Sequence, residues 1–144
     1  MIENLPENRI VNFLKKHHVL TLATTINNEP WCANCFYVYD VADNDFVFTS
    51  DNDTRHIKDA IINPFVAGSV VLETSVIGKI QGIQFQGNLY KAEGKRLTKA
   101  KQKYLLRFPI ASLMNTNLWI LELTYLKMTD NRLGFGKKLI WKKE

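Results

Sequence analysis

Three β-rich runs follow one another with little more than turn residues between them, and that spacing is what most restricts the fold. Residues 19–26 place Leu20, Leu22, Thr24 and Ile26 on one face of an extended chain, while residues 31–39 and 46–50 are rich in aromatic and β-branched side chains. Asn27-Asn28-Glu29-Pro30 and the segment 40–45 carry turn chemistry between them. Strands linked so closely pair antiparallel, as a meander, because a parallel pair needs a crossover of a dozen or more residues. The starting point is therefore an antiparallel, mainly β domain.

The remaining segments extend that sheet. Residues 65–73 and 80–91 read as strands, and 118–129 is a long β-rich run. In the second of these Ile83, Phe85 and Leu89 face one way and Gln84, Gln86 and Asn88 the other, with Gly82 and Gly87 suggesting a bulge or a close backbone approach. Pro6 opens a helix that carries Ile10, Phe13 and Leu14 toward His17. Asp53 reads as the N-cap of a second helix, with Ile57, Ala60 and Ile61 as its buried stripe and Pro64 as its end. A third, basic helix sets Leu97, Tyr104, Leu105 and Phe108 on one side. Six antiparallel strands covered by three short helices make a barrel, since closing a sheet removes most of its exposed edges. With 144 residues, no repeat and no linker, residues 1–144 are expected to form a single domain.

Charges at Glu7, Arg9, Lys15 and Lys16 break up any apolar core of a signal peptide, and the most apolar stretch, 65–72, is too short for a membrane helix. The expected location is the cytoplasm, with no membrane partner. The net charge of +5 conceals an asymmetry: residues 1–90 hold six Lys/Arg against ten Asp/Glu, and residues 91–144 hold thirteen against four. A basic half suits nucleic acid or another anionic partner. Yet Lys95, Arg96, Lys99, Lys101, Lys103 and Arg107 fall mostly where a helix would face water, and no RNP, KH or zinc-finger pattern accompanies them. A solvated helix face is the preferred reading.

Cys32 and Cys35 form a C-x-x-C pair, but on a strand. Side chains three apart there point to opposite faces, about 10 Å from each other, beyond disulfide reach. No second Cys pair or His-x-x-x-His completes a metal site, so no metal is expected. The segment Thr49-Ser50-Asp51-Asn52-Asp53-Thr54-Arg55-His56 is more informative. A strand ends in two hydroxyl residues and a helix opens with Thr54, Arg55 and His56, where natural helices prefer acidic residues. A bound anion would turn that unfavourable dipole interaction into a favourable one, making a phosphate site without a glycine loop. The plain alternative is that Arg55 pairs on the surface with Asp51 or Asp53. The tail Leu133-Gly134-Phe135-Gly136-Lys137-Lys138 lacks P-loop spacing and reads as a turn closing onto a last short strand.

The order of elements, with this segment at the third strand's end, resembles the pyridoxamine 5′-phosphate oxidase-like FMN-binding split barrels, and within them the YhbP-like branch, which has no established activity. The resemblance is carried by Trp31-Cys32-Ala33-Asn34 with Phe36-Tyr37, by Thr54-Arg55-His56, and by Gly82, Gln84-Phe85 and Gly87. It continues through Arg107-Phe108-Pro109, Thr129-Asp130-Asn131, the glycine-rich tail and Ile140-Trp141. It implies a homodimer with FMN at sites shared between the subunits. The flavin ring would lie along Asn34, Cys35 and Phe36, and Thr49, Ser50, Thr54, Arg55 and His56 would hold the phosphate, with Gln84 a further contact. The oxidases carry a Lys where this chain has His56, and their substrate-recognising residues have no counterpart here, which argues against pyridoxal phosphate synthesis. Three classes stay open: an FMN-dependent oxidoreductase or flavin reductase of unknown substrate, a flavin-storing or sensing module, and a basic anion- or nucleic-acid-binding barrel without flavin.

Overall fold

The computed structural model describes residues 4–113 and 117–144. Its elements run α1 (Asn8–Lys16), β1 (Val19–Ile26), β2 (Glu29–Asp40), β3 (Asp45–Ser50), α2 (Arg55–Ile62), β4 (Phe65–Val71), β5 (Gln81–Lys91), α3 (Gly94–Arg107), β6 (Asn117–Asp130) and β7 (Lys138–Lys142). The strands pair antiparallel in the order β3-β2-β1-β4-β5-β6-β7. A further β3–β6 pairing, from Asp45↔Glu122 to Ser50↔Asn117, closes β1 to β6 into the expected six-stranded barrel. The seventh strand, β7, is the short tail strand, laid along the far half of β6 from Tyr125↔Lys142 to Thr129↔Lys138.

The β1–β2 turn is tighter than the sequence suggests. Asn27 and Asn28 both take positive φ, 51° and 66°, and Ile26 pairs directly with Glu29. That is the two-residue mirror-image turn whose twist matches the strands, so Glu29 and Pro30 already belong to β2. β5 slips register at Gln86/Gly87, as the glycines suggested, and Gly87 lies too close to the Glu122 carbonyl to accept any side chain.

Tyr37, Phe46, Phe48 and Phe85 fill the barrel with Leu20, Leu22, Leu121 and Leu123, while α1 adds Ile10, Phe13 and Leu14 and α2 adds Ile57 and Ala60. The α2 stripe stops there: Ile61 is exposed. A smaller cluster of Val47, Ala92, Ala100, Tyr104, Leu118 and Ile120 lies beneath α3. Here the expected stripe shifts, for Ala100 and Tyr104 are buried while Leu97 is largely exposed. The basic face of α3 is also less solvated than expected. Arg96, Lys99 and Lys103 reach Asp45, Asp43 and Asp40 of the β2–β3 turn.

Asp45 is 2% exposed, and one of its carboxylate oxygens has no hydrogen-bond partner. Burial first, then Asp40 and Asp43, push its carboxyl up to about 7 against the opposing pull of Arg96 and Lys103. The folded chain therefore keeps a proton that the unfolded chain releases near 3.8. That contribution is complete below the unfolded value and is lost as pH rises through the folded one. Stability is expected to drop by on the order of 1–2 kcal/mol between about pH 5 and pH 7, and Asp45→Asn should flatten the dependence. Urea midpoints of both proteins at the two pH values check this.

Candidate functional site

Strand alternation divides the end of β3. Phe46, Phe48 and Ser50 share the barrel face, and Val47 and Thr49 share the outer one. Ser50 therefore meets the start of α2. Its Oγ lies 2.6 Å from His56 Nε2 and 3.5 Å from Thr54 Oγ1, and Thr54 Oγ1 is 3.4 Å from the same imidazole nitrogen. Trp119 Nε1–H donates to the Ser50 carbonyl at 3.0 Å and holds the strand end in place.

The N-cap of α2 is Thr54, not Asp53. The chain is extended there, and the Thr54 hydroxyl donates back to the Asp51 carbonyl at 2.9 Å instead of capping the helix. Among the described residues no side chain caps the helix, and its first turn holds no acidic residue. The orphan N–H groups and the positive end of the helix dipole are thus left open, among the described residues, beside two hydroxyls and an imidazole. Burial lowers the His56 pKa despite the pull of Asp59, which favours the neutral ring with one N–H donor and one acceptor.

Arg55 lies to one side of this cluster. Its guanidinium stacks 4.3 Å above the Trp31 ring, with Asp59 at 3.8 Å and Glu29 at 3.7 Å, not Asp51 or Asp53. Asp59 is nearly buried and also accepts from Thr24 Oγ1 at 3.1 Å. Trp31 stands on the first half of β2, where residues 29–36 pair with β1 on one edge and, among the described residues, have no strand on the other. Asn34 projects outward here and accepts from Thr21 Oγ1 at 2.9 Å.

The other expected residues fall into different surroundings. Cys35 points into the core, where burial pushes its thiol up to about 11, and Cys32 is exposed. Both are free, on opposite faces, as the strand requires. Phe36 is 60% exposed, packs edge-on against Phe108, and through its carbonyl accepts from the Tyr104 hydroxyl at 3.3 Å. Thr49 meets the same hydroxyl at 3.4 Å from the α3 side, lining a pocket of about 220 Å³ with Lys101, Tyr104 and Leu118. Gln84 is exposed on β5, across from Ser69 and Lys127.

The fold thus gathers Ser50, Thr54, Arg55 and His56 at one end of β3, with Trp31 and Asn34 on the neighbouring β2. It puts Thr49 and Phe36 on a common tyrosine, leaves Gln84 apart and sinks Cys35 in the core. Sequence reasoning named neither Tyr104 nor Trp31 as a site residue. A hydroxyl on the apolar face of α3 and an aromatic ring on the exposed half of a strand were the available signals.

No family model matches the chain. A UPF0306 protein of Photorhabdus laumondii is 42% identical over 134 residues, which span 93% of this chain and 94% of the relative. The chain belongs to the UPF0306 family. A UPF0306 protein of Yersinia pseudotuberculosis is likewise 42% identical over 132 residues, 92% of this chain and 90% of that one.

Solved structures resemble this UPF0306 chain in fold. A FAD-binding protein from Mesorhizobium loti superposes with a TM-score of 0.72 at 12% identity, covering 88% of this chain and 95% of that one. A candidate pyridoxamine 5′-phosphate oxidase from Listeria innocua gives 0.65 at 12%, covering 84% and 95%. A heme-binding protein from Mycobacterium smegmatis gives 0.71 at 18%, covering 87% of this chain and 52% of that one. The architecture is that of the pyridoxamine 5′-phosphate oxidase-like split barrels. No helix among the described residues is long and apolar enough to cross a membrane.

Proposed function

We propose that this UPF0306 protein binds FMN between two copies of the chain and serves as an FMN-dependent oxidoreductase or flavin reductase. The observation that carries the reading is the convergence of Ser50, Thr54 and His56 on an uncapped helix start, with Arg55 stacked beside it. These residues fit a phosphate. Open N–H groups donate to its oxygens, the Thr54 hydroxyl donates once it leaves the Asp51 carbonyl, a guanidinium supplies charge, and no first-turn carboxylate repels it.

In this reading the ring lies along Asn34, Cys35 and Phe36, on the half of β2 that has no second strand neighbour among the described residues, where the Phe36 carbonyl accepts from the Tyr104 hydroxyl. The flavin, when bound, supplies the redox chemistry, and the protein supplies position and a dry face. Flavin binding by a protein of the same fold, the Mesorhizobium relative, supports the cofactor class, and the closer kinship with the YhbP-like branch, the homodimer and the cytoplasmic location belong to the same reading.

The visible absorption spectrum of freshly purified protein, followed by FMN titration under static light scattering, tests it. Flavin bands or saturable FMN binding by a dimer are expected. A monomer at micromolar concentration with and without FMN, or a heme Soret band with no flavin uptake, defeats the proposal. Anaerobic bleaching of bound flavin by NAD(P)H would distinguish turnover from storage or sensing.

A further inference from the structure

At the opposite end of β6 from Ser50, α1 and the turn after Asp130 enclose a cleft of about 480 Å³. Phe13 and Met128 lie buried at its base, and Asn8, Asn12 and Gln81 line its walls. Its rim is cationic: Arg9 and Lys16 come from α1 and Arg132 from beyond β6, with Asn12 between the two α1 cations.

The cations there exceed what the protein needs for itself. Asp130 is fully buried and already satisfied by Arg132, which donates from its backbone N at 3.0 Å, from Nε at 3.0 Å and from NH2 at 2.8 Å. Arg9 adds a second guanidinium to the same carboxylate, through NH1 at 3.2 Å. One negative charge therefore holds two positive forks side by side, 37% and 50% exposed. Their other N–H groups make no hydrogen bond to the described residues, and neither does Lys16. Glu7, the acid on the rim, offsets one of the remaining cations at most. Repulsion among like charges fixed this close is relieved by an oxyanion, and guanidinium forks match its geometry.

We infer that this cleft is a second ligand site, taking the carboxylate or phosphate of a small molecule seated between α1 and the turn after Asp130. It does not depend on the flavin reading, since it shares no residue with the α2 start.

The test titrates phenyl phosphate and benzoate, two head groups on one ring, into isotope-labelled full-length protein and follows the Asn12 side-chain amide by NMR. At least one probe is expected to shift that signal saturably, and the tighter of the two identifies the head group. Lys16→Gln should weaken binding roughly tenfold, the effect of one charge-assisted contact. Lys16→Glu should weaken it further, while Arg55→Ala should leave it unchanged. Lys16 is exposed, so both variants should keep the wild-type spectrum. Silence of the Asn12 amide toward both probes, unchanged affinity in Lys16→Glu, or loss of binding in Arg55→Ala would overturn the assignment.

Discussion

Replacing Arg55 by Ala is expected to weaken FMN binding by roughly 10- to 150-fold while leaving riboflavin binding nearly unchanged. Riboflavin lacks the phosphate, so the difference between the two flavins isolates the contact assigned to Arg55. A charge-assisted hydrogen bond of about 1.5–3 kcal/mol sets the range. The guanidinium has carboxylate neighbours, yet at 3.7 Å from the exposed Glu29 and 3.8 Å from the nearly buried Asp59, on a side chain 46% exposed, both pairs are long. An exposed pair such as Arg55–Glu29 contributes about 0–1 kcal/mol, so a phosphate can draw the charge away from it while Trp31 holds the plane of the fork.

Thr54→Ala should cost less, about 0.5–1.5 kcal/mol, because only a neutral donor is lost. Added salt should weaken FMN binding in the wild type more than in Arg55→Ala, since screening acts on the charge that the mutation removes. If Arg55 serves only Glu29 and Asp59, neither flavin changes affinity. Fluorescence-quenching titrations of both flavins into both proteins decide between the two outcomes. Arg55 is the fixed positive charge among the first three residues of α2, which sharpens the contrast.

The parts of this site that were legible in the sequence are those set by local rules. Hydroxyls at a strand end, a helix opening without acids, and C-x-x-C side chains on opposite faces of a strand all follow from period and dipole, and the structure has each of them. Asp53 illustrates where local rules run out. As an isolated segment it is a good N-cap, but the barrel face draws Ser50 to His56 and shifts the helix start by one residue. The partners of Arg55 were illegible for a similar reason. Glu29 became available only because two consecutive left-handed asparagines pulled it into β2, and Asp59 because the helix began at Arg55. The basic face of α3 looked solvated because its acidic partners lie far off in sequence, Asp43 being 56 residues from Lys99.

Gly68→Ala is expected to destabilise the barrel by at least about 3 kcal/mol, at or beyond the upper end of ordinary overpacking. Gly68 sits in the middle of β4, paired with Leu22 on one side and Phe85 on the other. Its empty side-chain position belongs to the same face as the buried Val66 and Val70, and the Phe85 ring occupies it. An added Cβ would lie 2.8 Å from Phe85 Cε2, and closer still to Phe85 Cζ and the Thr21 carbonyl oxygen. The ring has little room to retreat, because it is 2% exposed and stands edge-on to Phe46 with centroids 5.1 Å apart. The carbonyl belongs to the neighbouring strand and moves only if the β1–β4 pairing opens.

The sequence hid this position. Lying between Ala67 and Ser69 in an apolar run, Gly68 reads as one more small strand residue, whereas its purpose is set by a ring from β5. Gly78→Ala is the control, for a Cβ there meets nothing within 4 Å, and its effect should stay within about 0.5 kcal/mol. Shrinking the ring with Phe85→Leu in the Gly68→Ala background should restore only part of the loss, since the Thr21 carbonyl still blocks the methyl group. Urea denaturation of the four proteins measures each step. A Gly68→Ala midpoint close to that of Gly78→Ala would mean that β4 can shift away from β1 at little cost, and that the ring–glycine contact does not hold the sheet in register.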